Sequence, residues 1–149
     1  MTFGGTIRLA ELGDAQAIAS CLGTLGYATS AGLVTDKLAT MVGSSGDTVL
    51  VGVEPSAGVV GVVSVHVLPL FHAPGNLARL TALAVLKGYQ GTGVGRALVS
   101  AAEAFAWRHD CRRIEVTSGD HRPDAHKFYE RLGYHSDERR FIKHAPSAV

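Results

Sequence analysis

Apolar positions along the chain alternate between helical and strand spacing, and the switches mark its elements. Residues 7–10 form a first short strand. Asp14 then stands where a helix cap is wanted, and Ile18, Cys21, Leu22 and Leu25 recur at helical spacing until Gly26 ends the run. Residues 30–42 make a weaker helix with Val34, Leu38, Met41 and Val42 inward, and a Gly-Ser-Ser-Gly loop at 43–46 follows. Two valine-rich runs, 48–54 and 59–68, flank Pro55-Ser56-Ala57-Gly58 and read as an antiparallel hairpin. After a loop at 71–76, residues 77–85 are a strand that runs into a glycine-rich segment. A long helix over 93–109 follows, with Val94, Leu98, Ala101 and Phe105 on one face. Residues 113–118 return to strand. Pro123 then suits the first turn of a helix whose buried stripe is Ala125, Phe128 and Leu132, and Gly133 stops it. Residues 134–143 supply a last pair of strands, and 145–149 form a tail.

This order describes one α/β domain over residues 1–149. With 46% apolar residues, 18% charged residues and a formal charge of +1, the composition is that of an ordinary globular protein. The basic groups at Arg108, Arg112, Arg113 and at Arg139, Arg140, Lys143 make no long run with interleaved aromatics, so no nucleic-acid partner is expected. No apolar stretch approaches the ~18 residues of a membrane span. Cys21 and Cys111 lie far apart with no zinc-type spacing, and His72, His109, His126, His135 and His144 show no paired pattern. Neither a disulfide framework nor a metal is expected, and a reducing cytoplasm is the simplest setting.

The segment Gln90-Gly91-Thr92-Gly93-Val94-Gly95-Arg96 lies between a strand and a helix, where successive N–H groups lack partners and the helix dipole is positive. Glycines there let the backbone approach an anion, although a glycine cluster is also what a plain turn uses. Two familiar phosphate loops do not fit. A Walker A loop needs Lys and then Ser or Thr after its last glycine, but Gly93 is followed by Val94 and Gly95. The dinucleotide fingerprint needs a glycine where Arg96 stands.

Leu83-Ala84-Val85 followed by Tyr89-Gln90-Gly91-Thr92-Gly93-Val94-Gly95-Arg96-Ala97-Leu98 resembles the acetyl-CoA motif of the GCN5-related N-acetyltransferases, written Arg/Gln-x-x-Gly-x-Gly/Ala. A second stretch, Ala125-His126-Lys127-Phe128-Tyr129-Glu130-Arg131-Leu132-Gly133-Tyr134, resembles the family helix that carries a tyrosine near the cofactor's sulfur. The resemblance implies a mixed, mostly antiparallel sheet of six to seven strands flanked by about four helices. It implies that the amides of residues 91–96 hold the diphosphate of acetyl-CoA, with Gln90 and Arg96 at the two ends of that loop. It further implies that Leu83, Ala84 and Val85 pair with the pantetheine arm like an added strand. Arg96 is either a phosphate contact or a solvated helix residue.

The activity implied is transfer of an acetyl group to a primary amine of a small molecule by direct attack in a ternary complex. The alternatives are a non-catalytic acyl-CoA sensor and a protein or peptide N-acetyltransferase. Family members often pair, so a homodimer is open. Tyr129, whose phenol stays protonated at neutral pH, is the expected general acid for the departing thiolate, and carbonyl polarisation falls to a backbone N–H near Val85 by analogy. Many relatives carry a glutamate base two residues ahead of the Leu-Ala-Val triplet, where this chain has Thr81. Either a water chain removes the proton in its place or a group from another strand does, with Asp120 the first candidate and His121, Glu115 and His66 behind it.

Overall fold

The computed structural model describes residues 3–117, 123–137 and 140–146. The chain divides into two compact units, Met1–Thr117 and Ser118–Val149.

In the first unit the valine-rich segments form long strands because branched side chains pack well on a pleated surface. The strands are β1 Thr6–Leu9, β2 Asp47–Glu54, β3 Gly58–Pro69, β4 Asn76–Val85 and β5 Cys111–Val116, and they lie in that spatial order. The first four are mutually antiparallel and β5 runs parallel to β4. A parallel pair needs a crossover, and α3, Val94–Arg108, supplies it. Its Val94, Leu98, Ala102 and Ala106 pack with Val60, Val63, Val65, Ala78 and Leu80 on one face of the sheet. The opposite face carries α1, Ala15–Gly23, and α2, Ala31–Met41, which bury Ile18, Cys21, Val34 and Leu38 against Val51, Val62 and Ala84.

The start of α3 is seated closely on the sheet. A Cβ built on Gly61 of β3 would lie 2.9 Å from both Val94 Cγ1 and Leu98 Cδ1 and 3.3 Å from the Ala84 carbonyl oxygen. Only a hydrogen fits there.

Local caps differ in one respect from the sequence reading. Ser30 caps α2 by accepting from the Leu33 amide at 3.1 Å. Asp14, expected to cap α1, makes no such bond. It instead receives Arg8 Nη1 and Nη2 at 2.7 and 3.0 Å and the Glu11 amide at 2.8 Å, so it ties β1 to the turn before α1. The guanidinium offers two charge-assisted bonds, which outcompete a single amide of the first turn.

The second unit contains α4, Pro123–Arg131, closed by Gly133 at φ 94°. The expected last pair of strands is absent among the described residues: 134–137 and 140–146 adopt neither strand nor helix, and the described sheet has five strands rather than six or seven. The stretch has no buried stripe, with Phe141 93% and Ile142 63% exposed, and two short strands without a third offer too little apolar burial to hold together.

Two stability predictions follow from this packing. Gly61→Val should lower stability to chemical denaturation by about 1–3 kcal/mol through overpacking against α3. Asp14→Asn should cost about 1 kcal/mol near pH 7. The hydrogen bonds from Arg8 and, behind them, the Glu11 amide hold the Asp14 carboxyl below its ordinary value. The folded state therefore favours the carboxylate. That contribution is complete above the unfolded carboxyl's ~4 and fades as pH falls through the folded value. The gap in denaturation midpoint between wild type and Asp14→Asn should be widest near neutrality and narrow in acid.

Candidate active site

β4 is where the sheet opens. Its pairing with β5 ends at Leu80 opposite Val116, while its pairing with β3 continues to Val85 opposite Gly61. The Leu86 amide donates to the Val60 carbonyl at 2.9 Å. Hydrogen-bonded and non-bonded pairs alternate along an antiparallel ladder, so Ala84 and Ala82 also turn their backbone groups toward β3. Leu83 and Val85 therefore aim theirs at the opposite edge, which no strand covers among the described residues. Gln90 Nε2 occupies the Val85 carbonyl at 3.0 Å. Among the described residues, the Val85 amide and both backbone groups of Leu83 meet no partner.

From that edge the chain turns through a short 3-10 helix, Lys87–Tyr89, into the glycine loop. Gly91 and Gly93 have φ of 79° and 96°, in the left-handed region that side chains disfavour. Thr92 Oγ1 donates to the Tyr89 carbonyl and braces the turn. The first backbone bond of α3 runs from the Ala97 amide to the Gly93 carbonyl at 3.0 Å. Among the described residues, the six N–H groups from Gly91 to Arg96 have no acceptor, which is the arrangement a diphosphate suits. Val94 is 1% exposed and anchors the loop from beneath, whereas the Arg96 side chain is exposed.

On the other face, under α1 and α2, lies a cleft of about 300 Å³ whose apolar walls include Ile18, Leu22, Leu38 and Met41. Lys37 also lines it, and Ser64, His66 and Thr81 provide polar groups on the sheet side. These come together because β4 carries a bulge. Ser64 opposes Ala82 and Val65 opposes Leu80, so Thr81 is an extra residue, and it lines the same cleft as Ala82 instead of pointing away.

Thr81 Oγ1 lies 2.6 Å from Ser64 Oγ and 2.8 Å from His66 Nε2, and His66 Nδ1 lies 2.9 Å from Asp47 Oδ1. Ser44 Oγ donates to Asp47 Oδ2 at 2.8 Å. Hydrogen bonds from His66 and then Ser44 hold the Asp47 carboxyl below its ordinary range. Beside His66 in the register is Arg79, bound to Glu115 at 2.6 Å.

Of the residues expected to serve as base, Glu115 is neutralised by Arg79 and Arg113, and His66 has gained both a carboxylate and a hydroxyl partner. Asp120 and His121 lie outside the described residues. Tyr129 is on α4 in the second unit, its ring edge-on to Phe128 and Tyr134 at centroid distances of 5.2 and 5.8 Å. Trp107 on α3 is 54% exposed and lies outside the core. Asp47, Ser64 and Lys37 were not expected at a site. The available signal was Ser64-x-His66, two polar residues two apart on an otherwise apolar strand. Burial pushes the Cys21 thiol up to about 11, so it holds no thiolate near neutral pH. Among the described residues no group of His, Cys, Asp and Glu is arranged to hold a metal, and no helix is long and apolar enough to cross a membrane.

Comparison with known proteins bears on the class. Residues 31–134 match the Acetyltransferase (GNAT) family. The chain belongs to this family. An aminoalkylphosphonate N-acetyltransferase of Salmonella typhimurium is 33% identical over 85 residues, a match that spans 57% of this GNAT chain and only 55% of the relative. A solved structure of a transcriptional regulator from Bacillus halodurans C-125 superposes with a TM-score of 0.83 at 23% identity, covering 95% of this chain and 99% of the other. A Trypanosoma brucei acetyltransferase superposes at 0.79 with 24% identity, covering 95% and 99%. At such identities these two structures establish the fold alone.

The glycine loop yields a test of its own. No atom lies within 4 Å of a Cβ built on Gly91, so any penalty there is dihedral. Gly91→Val should lose at least about 1 kcal/mol of stability by chemical denaturation, and Gly91→Asn clearly less.

Proposed function

We propose that this GNAT chain moves an acetyl group from acetyl-CoA to a primary amine of a small molecule, by direct attack within a ternary complex. The observation that carries the reading is the pairing of two features on β4: an edge that, among the described residues, is uncovered and leads into six amides without an acceptor, and a hydroxyl-lined cleft on the face beside its bulge. The amides of Gly91, Thr92, Gly93, Val94, Gly95 and Arg96 fit a diphosphate, with the exposed Arg96 guanidinium free to add charge. Leu83 and Val85 fit the amides of a pantetheine arm, with Ala84 holding the strand to β3 and Gln90 bracing the turn. Acetyl-CoA would supply an activated acyl carbonyl; the amine would replace sulfur at that carbon, Tyr129 would give its proton to the departing thiolate, and the proton shed by the acylated nitrogen would restore the Tyr129 phenol.

The cleft's volume suits a compact acceptor. That the partial relative is an aminoalkylphosphonate N-acetyltransferase supports an amine with an anionic group, for which Lys37 is the cation lining the cleft.

The test combines binding and turnover. CoA at about 100 times its Kd should stabilise the protein by about 2.7 kcal/mol, visible as a rise in melting temperature. A thiol-release screen of aminoalkylphosphonates, amino acids, polyamines and aminoglycosides should find at least one substrate. Tyr129→Phe should cut kcat about 100-fold while leaving the CoA shift intact. No CoA shift would sink the cofactor reading. A shift without turnover on small amines or peptides would mean a sensor, and turnover confined to peptides would reassign the acceptor.

A further inference from the structure

The hydrogen-bond chain in the cleft has a determinate direction. An ionised carboxylate only accepts, so Asp47 requires the proton of neutral His66 to sit on Nδ1. Nε2 is then an acceptor, and Thr81 must donate its hydroxyl proton to it. With that proton committed, Thr81 Oγ1 accepts from Ser64. The Ser64 oxygen ends the chain with lone pairs to spare on the cleft side.

We infer that Ser64, Thr81 and His66 form the proton relay that deprotonates the acceptor amine, with Asp47 as the positioning residue that fixes the imidazole. The inference rests on the acetyl-transfer reading. The acceptor enters as an ammonium and donates one N–H proton to Ser64 Oγ. The Ser64 proton passes to Thr81 Oγ1 and the Thr81 proton to His66 Nε2. Both hydroxyls are regenerated, the nitrogen keeps its electron pair for attack, and an imidazolium forms beside Asp47. It returns the proton to water after the product leaves.

The surroundings favour the transfer. Apolar walls and the Lys37 charge both disfavour an ammonium in the cleft. The imidazole is the side chain that ordinarily changes charge near neutrality. Among the described residues, the charged groups around His66 are Asp47 from β2, Arg79 from β4, already paired with Glu115, and Lys37 from α2, which lines the same cleft.

A purely structural cross-strand network would fix the same atoms but would not set a rate, and kinetics with the reactive amine separates the two. His66→Gln should lower kcat/KM about 100-fold at pH 7 and abolish the acid limb of its pH profile, with no change in the CoA-induced melting shift. Thr81→Val, nearly isosteric but unable to pass a proton, should lose tenfold or more, and Thr81→Ser should restore most of it. In ligand-free protein with isotope-labelled histidine, NMR near pH 8 should find His66 as the Nδ1–H tautomer. Asp47→Asn, whose amide can also donate, should admit the Nε2–H form and reduce kcat more than it changes KM. An active wild type whose rate and pH profile survive His66→Gln overturns the relay alone. The Nε2–H tautomer in wild type overturns it whether or not any amine reacts. A wild type silent on every amine sinks the acetyl-transfer reading and the relay's use with it.

Discussion

One extra residue in β4 governs the geometry of this protein. An unbulged strand would alternate Thr81 and Ala82 between the two faces of the sheet. With Thr81 inserted opposite the Ser64/Val65 step, both line the cleft under α1 and α2. Leu80, before the bulge, and Leu83 and Val85, after it, still pack with the α3 face. The strand thus serves two faces and one open edge within six residues. A bulge costs a ladder position, and here that position follows the last pair between β4 and β5 among the described residues, Leu80 with Val116.

The two halves of the site share a backbone. Gly61 and Ser64 lie three positions apart on β3, the first receiving the start of α3 and the second facing the cleft. Because Val94 is seated on a residue with no side chain, the loop amides are held at a fixed height above β3, the strand that also carries the Ser64 hydroxyl. Shifting α3 by the width of a methyl group would move the amides relative to β4 and leave Ser64 in place. Close packing at Gly61 therefore contributes to alignment as well as to stability.

The sequence made some of this legible and could not reach the rest. Glycines at 91 and 93 announce left-handed backbone, because no other residue takes that conformation at so little cost, and both adopt it. Valine-rich runs bounded by Pro55-Ser56-Ala57-Gly58 announce a hairpin, since turn chemistry and periodicity agree. Asp14 was misread as a cap because the competing partner, Arg8, sits on another element. Strands were expected over 134–143, and the described residues there form none, because a strand exists only where another strand and a core receive it. The His66–Thr81 contact joins residues 15 apart through a bulge, and nothing in the local pattern of either strand specifies that register.

A hydroxyl rather than a carboxylate at position 81 is consistent with where charge is cheap in this cleft. A glutamate there would carry its full charge among walls formed by Ile18, Leu22, Leu38 and Met41, and desolvation would push it toward the neutral acid. Thr81 and Ser64 are uncharged before and after a proton passes, so they place no ion among those walls. The charge instead develops on His66, whose side chain is 29% exposed, against Asp47, which is 39% exposed. An ion pair formed partly in water pays little desolvation and is screened from the apolar walls. In the proposed relay the hydroxyl chain thus separates the point where the amine gives up its proton from the point where the resulting charge resides.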